Sequence, residues 1–128
     1  MTNNQNPLSP HLQIYRWNIS SLLSITHRIS GVINLFSLIL IFFWLLVLNL
    51  GEIYYELFLL MINSFLGKFI LIGFTWSMSF HLLSGLRHLI WDFGYGFEIK
   101  TANISGIIVI ISSLVLTVIF WLLGRGLI

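Results

Sequence analysis

Four ionisable side chains stand close together in a stretch of sequence that is otherwise apolar enough to cross a membrane. They are His81, Arg87, His88 and Asp92. Because ionisable groups are costly in hydrocarbon, such residues inside a membrane helix are candidates for a function. His81, Gly85 and His88 follow at i, i+4 and i+7, so they share one helical face. A histidine with a bare glycine one turn away predicts a site where a flat cofactor approaches the helix and the imidazole binds its metal.

Two interpretations of His81 are open from the residues alone. A neutral imidazole, which is the form that a low dielectric favours, can ligate haem iron. Alternatively, the ring forms a hydrogen bond with a carbonyl or a serine of a neighbouring helix. Ser77 and Ser84 lie close to the same face, but small residues also serve ordinary helix packing in membranes.

Haem ligation would also require a second chain. His88 is the other histidine deep enough in this segment, and it lies about 10.5 Å along the helix axis from His81. Two axial nitrogens must face each other across one iron, about 4 Å apart if each bond is near 2 Å. One helix cannot supply both nitrogens, so the sequence predicts a partner subunit, or a homodimer with the haem on its axis.

Ser24, His27 and Arg28 form a second polar face, at i, i+3 and i+4 near the start of the first apolar run. A hydroxyl and a guanidinium at a membrane interface suit a quinone, whose head group has two carbonyl acceptors. Ser24 would donate a hydrogen bond to one carbonyl, and Arg28 would stabilise the negative charge that develops on reduction. The alternative is an interfacial helix end in which Arg28 pairs with Asp92.

Arg87 has two interpretations as well. It would meet a haem whose propionates point to the inner membrane face, because Arg–carboxylate pairs are strong. The second interpretation is that Arg87 only extends its charge to the inner membrane face, as the positive-inside rule describes. This is the more frequent role of an arginine near the end of a membrane helix.

The composition places the chain in a membrane. Hydrophobic residues make up 58% of the chain and charged residues 8%, with a mean hydropathy of +0.98, whereas a soluble domain usually has about 25% charged residues. Residues 29–51 and 101–124 are uncharged runs of spanning length, since about 20 apolar residues cross a bilayer as a helix. Residues 69–86 form a slightly shorter run, which Lys68 and residues 88–91 extend.

Two classes of function are excluded by what the sequence lacks. The chain has no cysteine, which excludes disulfides, thiolate metal sites and iron–sulfur ligation within it. It also has no basic run, so it is not a nucleic-acid-binding protein.

These runs predict an all-α membrane protein with three transmembrane helices and a single membrane-anchor domain over residues 1–128. The predicted helices cover about residues 20–50, 63–91 and 103–124. Residues 1–17, with two prolines, are a polar tail, and the segment that carries Glu52 and Glu56 is a loop. Gly51 is the expected C-cap of the first helix, and residues 94–96 break the second helix.

The distribution of basic residues predicts the orientation of the chain. One side has Arg16, Arg28, Arg87 and Lys100, and the other has Lys68 and Arg125. The positive-inside rule then puts the N-terminus in the cytoplasm or matrix and the C-terminus outside. Residues 24–28 and 87–92 would lie at the same membrane face, where antiparallel neighbouring helices would bring them together.

Three segments together resemble one protein family. They are PLSPHLQIY (residues 7–15), SITHRISG (residues 24–31) and HLLSGLRHLIWDFG (residues 81–94). The pattern S-x-x-H-R-x-S-G followed by H-x-x-x-G-x-R-H-x-x-x-D is similar to that of the cytochrome b556 membrane-anchor subunits of succinate dehydrogenase, respiratory complex II. The resemblance covers nearly the whole chain and implies a multi-pass protein of the mitochondrial inner membrane or the bacterial plasma membrane.

The resemblance implies a role for each polar residue of the two faces. His81 matches the axial ligand of haem b, and Arg87 and His88 match positions that contact the propionates. Gly85 belongs to the same haem environment. The remaining matches are His27, near the propionates, Ser24 and Arg28, in the ubiquinone site, and Asp92, an acidic residue near the quinone pocket.

The resemblance also implies partners and cofactors outside this chain. A second small membrane-anchor subunit would supply the other haem ligand, and an iron–sulfur subunit and a flavoprotein subunit would hold the iron–sulfur clusters and FAD. The chain alone would not be an enzyme. Alternatives are the anchor of a fumarate reductase, which runs the same couple in reverse, and a haem-free structural scaffold. A small transporter subunit is disfavoured because no proline breaks the spans.

Overall fold

The computed structural model describes residues 17–127 and shows four α-helices. They are α1 (Ile19–Leu50), α2 (Glu52–Asn63), α3 (Phe65–Asp92) and α4 (Ile99–Leu127). Helices α1, α3 and α4 are each long and apolar enough to cross a membrane, as the sequence predicts. The α4 helix begins four residues before the predicted start. Residues 1–16 of the predicted tail lie outside the described residues.

The segment after α1 is a helix, so the prediction of a loop around Glu52 and Glu56 is wrong. Gly51 ends α1 with φ at +108°, a conformation that glycine adopts without steric cost. Glu52 then lies in the first turn of α2, where its negative charge interacts favourably with the positive end of the helix dipole. Phe58 is buried, with its ring 6.0 Å from that of Phe43 in α1. The 12 residues of α2 are too few to span a membrane, and a search for spanning runs therefore misses this helix.

The connection from α3 to α4 is a short turn closed by its own hydrogen bonds. Gly94 N–H donates to Trp91 O at 2.8 Å, and the Trp91 indole N–H donates to Gly96 O at 3.2 Å. Both glycines have positive φ, and the predicted break at residues 94–96 is confirmed. The turn brings the start of α4 back against the end of α3.

The bundle has a small apolar core and a large apolar surface. Leu23 of α1, Phe80 of α3 and Val109 of α4 form the core. Most buried side chains are polar: Ser30, Ser77, Ser79, Ser84, Arg87, Ser113 and Thr117. Lipid tails are as apolar as a leucine side chain, so burying apolar side chains between helices gains little free energy in a membrane. Membrane helices therefore associate through small and polar residues. The exposed apolar surface is therefore what a membrane protein presents to lipid and to other subunits.

Hydrogen bonds between α1 and α3 fix the two helices in antiparallel register. Ser77 Oγ lies 3.1 Å from Ser30 O and 3.0 Å from Asn34 Oδ1. Ser77 and Ser30 have relative exposures of 0% and 1%, so water does not compete for these bonds. This register brings the start of α1 beside the end of α3, where most of the predicted site residues lie.

Candidate functional site

Three of the four histidines of the chain meet between α1 and α3. The rings of His27 and His81 stack with centroids 4.0 Å apart and an interplanar angle of 10°. The His88 ring also lies near that of His27, with centroids 5.1 Å apart and an interplanar angle of 35°. The polar segments that the sequence places at one membrane face are thus in direct contact. We refer to His27, His81 and His88 as the histidine cluster.

Contacts with α1 hold the His81 ring by one of its two nitrogens. Nδ1 lies 3.0 Å from Ser30 Oγ and 3.2 Å from the main-chain oxygen of His27. A carbonyl oxygen can only accept a hydrogen bond, so Nδ1 carries the proton and donates. Nε2 then has the lone pair and makes no hydrogen bond within residues 17–124. The hydrogen-bond interpretation of His81 therefore holds for Nδ1. Nε2 is left open to a ligand, and haem ligation by this atom stays a prediction.

Two glycines shape the space around the His81 ring. A Cβ atom at Gly31 would lie 3.3 Å from the His81 Cε1 atom, which is closer than an ordinary contact. Glycine at this position lets α1 approach the ring. A Cβ atom at Gly85 would meet nothing within 4 Å, so the flank of α3 one turn after His81 is open. This open space supports the predicted approach of a flat group, which stays a prediction.

Polar atoms without a partner occur inside the histidine cluster. His88 Nδ1 donates to Ser84 O at 2.7 Å. In contrast, His27 Nδ1 and Ser84 Oγ are buried and have no hydrogen-bond partner among the described residues. Such atoms are rare in native proteins because an unsatisfied buried group costs about 1–3 kcal/mol. They indicate that a ligand, a cofactor or another chain completes this region.

Arg87 points into the α3–α4 contact. Its Nε donates to Ser105 Oγ at 3.0 Å, and one terminal nitrogen donates to Ala102 O at 2.8 Å. The guanidinium carbon lies 4.0 Å from the centre of the Trp91 ring, and the edge of that ring faces His88 at 5.3 Å. Arg87 is 5% exposed and has no carboxylate partner within residues 17–124.

Ser24 and Arg28 lie on α1 close in sequence to His27 and differ in burial. Ser24 is half-buried, and Arg28 is exposed. Asp92, the last residue of α3, is also exposed. Within residues 17–124 none of these side chains makes a hydrogen bond or an ion pair, and the alternative pairing of Arg28 with Asp92 is therefore absent. All three side chains are available to a ligand or to another chain.

The ligand set of this region suits a metal that arrives inside a cofactor. Among the described residues there is no group of three or more histidine, aspartate or glutamate side chains that would enclose a bare metal ion. Haem iron needs no such group, because the porphyrin supplies four nitrogens and the protein supplies an axial ligand. The free Nε2 of His81, the open flank at Gly85 and the unpartnered His27 Nδ1 all fit this cofactor.

Three residues of the site were not singled out from the sequence. Ser30 bonds the His81 ring, Asn34 bonds Ser77, and Trp91 stacks on Arg87. Ser30 and Asn34 are polar residues in the apolar first span, at i+3 and i+7 from His27. That spacing was a usable signal. Nothing in the sequence distinguishes Trp91 from the other aromatic residues near it, such as Phe93, Tyr95 and Phe97.

The fold and the site together define a helical membrane subunit that offers one free imidazole nitrogen beside an open helix flank. The family model described as succinate dehydrogenase/fumarate reductase transmembrane subunit matches residues 2–120. The chain belongs to this family, as the sequence motifs predict, and it is a multi-pass membrane protein.

Curated relatives match the chain over most of its length. A succinate dehydrogenase cytochrome b556 subunit of Rickettsia prowazekii is 44% identical over 118 residues, 92% of each chain. The cytochrome b556 subunit of Paracoccus denitrificans is 41% identical over 88% of this chain and 87% of its own length. The succinate dehydrogenase cytochrome b560 subunit of Reclinomonas americana is 36% identical over 91% of this chain and 85% of its own length. The similarity thus extends across bacterial and eukaryotic relatives.

Proposed function

We propose that this chain is a membrane-anchor subunit of a succinate:ubiquinone oxidoreductase, that it binds haem b together with a second anchor subunit, and that it forms part of the ubiquinone-reduction site. The observation that carries the proposal is the His81 ring, held by Nδ1 and free at Nε2 beside Gly85. The names of the relatives, which are succinate dehydrogenase cytochrome subunits, favour succinate oxidation over the fumarate reductase alternative.

His81 would hold the iron through Nε2, and the second anchor subunit would supply the opposite ligand. When bound, haem b supplies a one-electron redox centre inside the membrane. Within the part of the chain that the structure describes, His27 Nδ1 is a buried polar atom without a partner, and Arg87 is a buried cation without a carboxylate. Both groups, together with His88, would stabilise propionate charge, because charge-assisted hydrogen bonds are the strong kind.

Ser24 and Arg28 would bind the ubiquinone head group. Ubiquinone takes up two electrons and two protons when it is reduced to the quinol. The Ser24 hydroxyl would donate a hydrogen bond to one quinone carbonyl, and the Arg28 guanidinium would stabilise the negative charge that develops on that oxygen. Both side chains are free of other polar partners among residues 17–124. Asp92 lies at the end of α3 near the same surface, and we assign it a secondary role beside the quinone.

The partners of the chain follow from this function. The electrons would come from succinate through a flavoprotein subunit with FAD and an iron–sulfur subunit with its clusters, both at the inner membrane face. The N-terminal end of α1 and the histidine cluster would face that side, the cytoplasm or the matrix. The chain would contribute binding groups to the complex and would not be an enzyme by itself. The membrane would be the mitochondrial inner membrane or the bacterial plasma membrane.

The test is a dithionite-reduced minus oxidised visible spectrum of the purified complex that contains this chain. A sharp b-type α-band is expected in the native complex, and His81→Ala should abolish or shift it because the iron loses an axial ligand. Met78→Ala is the matched control, since Met78 lies one turn before His81 on the same helix and is 67% exposed. Its spectrum should equal that of the native complex.

Each alternative has its own result in this experiment. A native complex without a b-type band would indicate a haem-free scaffold, and the assignment of His81 would fail. A band that is unchanged in His81→Ala would show that another residue ligates the iron. Equal losses in His81→Ala and Met78→Ala would indicate a general failure of assembly, and would remove the support for a specific role of His81.

A further inference from the structure

The Ser30 side chain lies between α1 and the His81 ring and is almost completely buried. Its relative exposure is 1%. The hydroxyl donates to the main-chain oxygen of His27 at 2.8 Å, and its oxygen lies 3.0 Å from His81 Nδ1. A serine hydroxyl near the middle of a membrane helix usually bonds its own backbone. Ser30 does so and also reaches a ring on another helix.

The number of available protons decides the direction of these hydrogen bonds. A serine hydroxyl has one proton and two acceptor lone pairs. The proton of Ser30 is used on His27 O, so the contact with His81 is one in which Nδ1–H donates to Ser30 Oγ. The same Nδ1–H also lies 3.2 Å from His27 O. The proton of the His81 ring is therefore shared between two acceptors on α1, of which Ser30 Oγ is the closer.

The position of Ser30 is itself fixed by groups other than its side chain. Ser77 Oγ bonds both Ser30 O and Asn34 Oδ1, which sets the register of α1 against α3. Gly31, the next residue, lies so close to His81 Cε1 that a Cβ atom there would crowd the ring. The hydroxyl of Ser30 can thus be removed without removing the Ser77 hydrogen bonds that join the two helices at this level.

We propose that Ser30 is a positioning residue for His81. Together with the main-chain oxygen of His27, it keeps the proton of the ring on Nδ1, fixes the rotation of the ring, and increases the electron-donor strength of Nε2. Acceptors bonded to the second nitrogen of a metal-bound histidine orient the ring and raise its basicity. This inference rests on the proposed function of His81 as a haem ligand, and it goes further by naming the group on α1 that sets the properties of that ligand.

The midpoint potential of the haem in the purified complex tests the proposal. Ser30→Ala removes the closer acceptor, which makes Nε2 a weaker donor and stabilises ferric iron less. The potential should therefore rise, and the low-spin electron paramagnetic resonance signal of the oxidised haem should shift, while the haem content stays at the native level. Ser30→Thr retains a hydroxyl and should restore both values toward native. Should Ser30→Ala fail to assemble, Ser30→Cys, whose sulfur is a weak acceptor, provides the same comparison.

Two control variants separate this effect from packing. Ser37→Ala removes a half-buried hydroxyl of α1 that bonds its own helix at Ile33 O, so neither value should change. Ser77→Ala removes the Ser77 hydrogen bonds between α1 and α3 but leaves both acceptors of the His81 ring. It should lower the thermal stability of the complex and shift the potential much less than Ser30→Ala does.

The results distinguish a failure of this inference from a failure of the proposed function. A native potential and resonance signal in Ser30→Ala, in a complex whose α-band depends on His81, would overturn the role of Ser30 alone. A shift of the same size in Ser77→Ala would also overturn it, because the effect would then be one of packing. A native complex without a band that depends on His81 would overturn both.

Discussion

The two ends of the helix bundle use their polar side chains in different ways. At the end with the histidine cluster, side chains form hydrogen bonds across helices, as in Ser77 with Asn34, His81 with Ser30 and Arg87 with Ser105. Toward the other end, Thr117 and Asn49 bond the backbone of their own helices. A polar side chain that bonds the backbone of its own helix already has its hydrogen bond in lipid. It therefore does not determine how that helix packs against neighbouring helices.

The end away from the cluster is also shaped for lipid or for another apolar surface. A groove of about 480 Å³ lies between α1, α2 and α3 there. The side chains that line it are mostly large and apolar, including Phe36, Phe43, Met61, Ile70 and Phe74. The contrast indicates that cross-helix hydrogen bonds, rather than polar residues as such, distinguish the end of the bundle where the proposed site lies. We call the two parts the cluster end and the groove end.

The largest expected difference between the two ends is in quinone reduction. Arg28→Ala at the cluster end should lower the quinone reductase activity of the complex about 100-fold, the typical effect of removing one group that stabilises developing charge. Succinate oxidation with an artificial acceptor should survive, because that reaction does not need the quinone site. Steady-state assays of both reactions on the purified complex provide the measurement.

Lys68→Ala is the control at the groove end, because Lys68 is an exposed basic residue near the start of α3. Both activities should stay native in this variant. If Arg28→Ala loses both activities together, Arg28 is needed for assembly of the complex. The difference between the two ends would then not be a difference in quinone binding. Ser24→Ala should follow Arg28→Ala in direction.

The next effect concerns stability at the cluster end. Arg87→Gln removes the charge-assisted hydrogen bonds to Ser105 and Ala102 and the stacking on Trp91. We expect a loss of about 2–3 kcal/mol in the stability of the complex, since hydrogen bonds to charged groups are worth about 1.5–3 kcal/mol. The measurement is the thermal unfolding of the purified complex in detergent.

Arg87→Lys should rescue this loss poorly, because an ammonium group cannot reproduce the planar contacts of a guanidinium. Full stability in Arg87→Lys would show that charge alone matters at this position. Unchanged stability in Arg87→Gln would mean that the α3–α4 contact does not depend on Arg87.

The smallest effect is expected at the groove end. Phe58→Ala removes the buried ring that packs α2 on Phe43 of α1. We expect a cost of about 1 kcal/mol, below the 3–5 kcal/mol typical of soluble cores, because lipid can refill the space. Amide hydrogen exchange in α2 should increase, and the visible spectrum should stay native.

Leu57→Ala is the matched control for this variant, since Leu57 is the preceding residue and is 58% exposed. Its exchange should equal that of the native chain. A change in the haem spectrum of Phe58→Ala would show that the two ends are coupled, and the division into a cluster end and a groove end would then be wrong.

Much of the fold could be predicted because a bilayer imposes simple rules on a sequence. Three apolar runs predict three spanning helices, and Gly51 and residues 94–96 predict where two of them end. The helix α2 was missed because it is too short for those rules and is held by the contact of Phe58 with Phe43. The length of a spanning helix depends on its own local sequence. The docking of a short helix depends on a contact with a residue of another helix, here Phe43 of α1.

The candidate site also has one part that could be predicted from the sequence and another part that could not. His81 and Gly85 could be selected from the sequence, because an ionisable residue in an apolar helix is rare and their spacing places them on one face. The direction of Arg87 could not be predicted. A guanidinium near the end of a helix can reach water, a ligand or another helix, and the choice depends on the α3–α4 turn that brings Ala102 and Ser105 beside it.

The sequence by itself determined the membrane class, the three long helices and the presence of an imidazole at membrane depth, because hydropathy and helical spacing are local properties. Only the tertiary structure decided which nitrogen of His81 is free, that the His27 ring contacts those of His81 and His88, and that Ser30 bonds the His81 ring. These features depend on the register of α1 against α3. A shift of α1 by one residue turns its side chains by about 100°, and the apolar pattern of a membrane helix specifies that rotation only weakly.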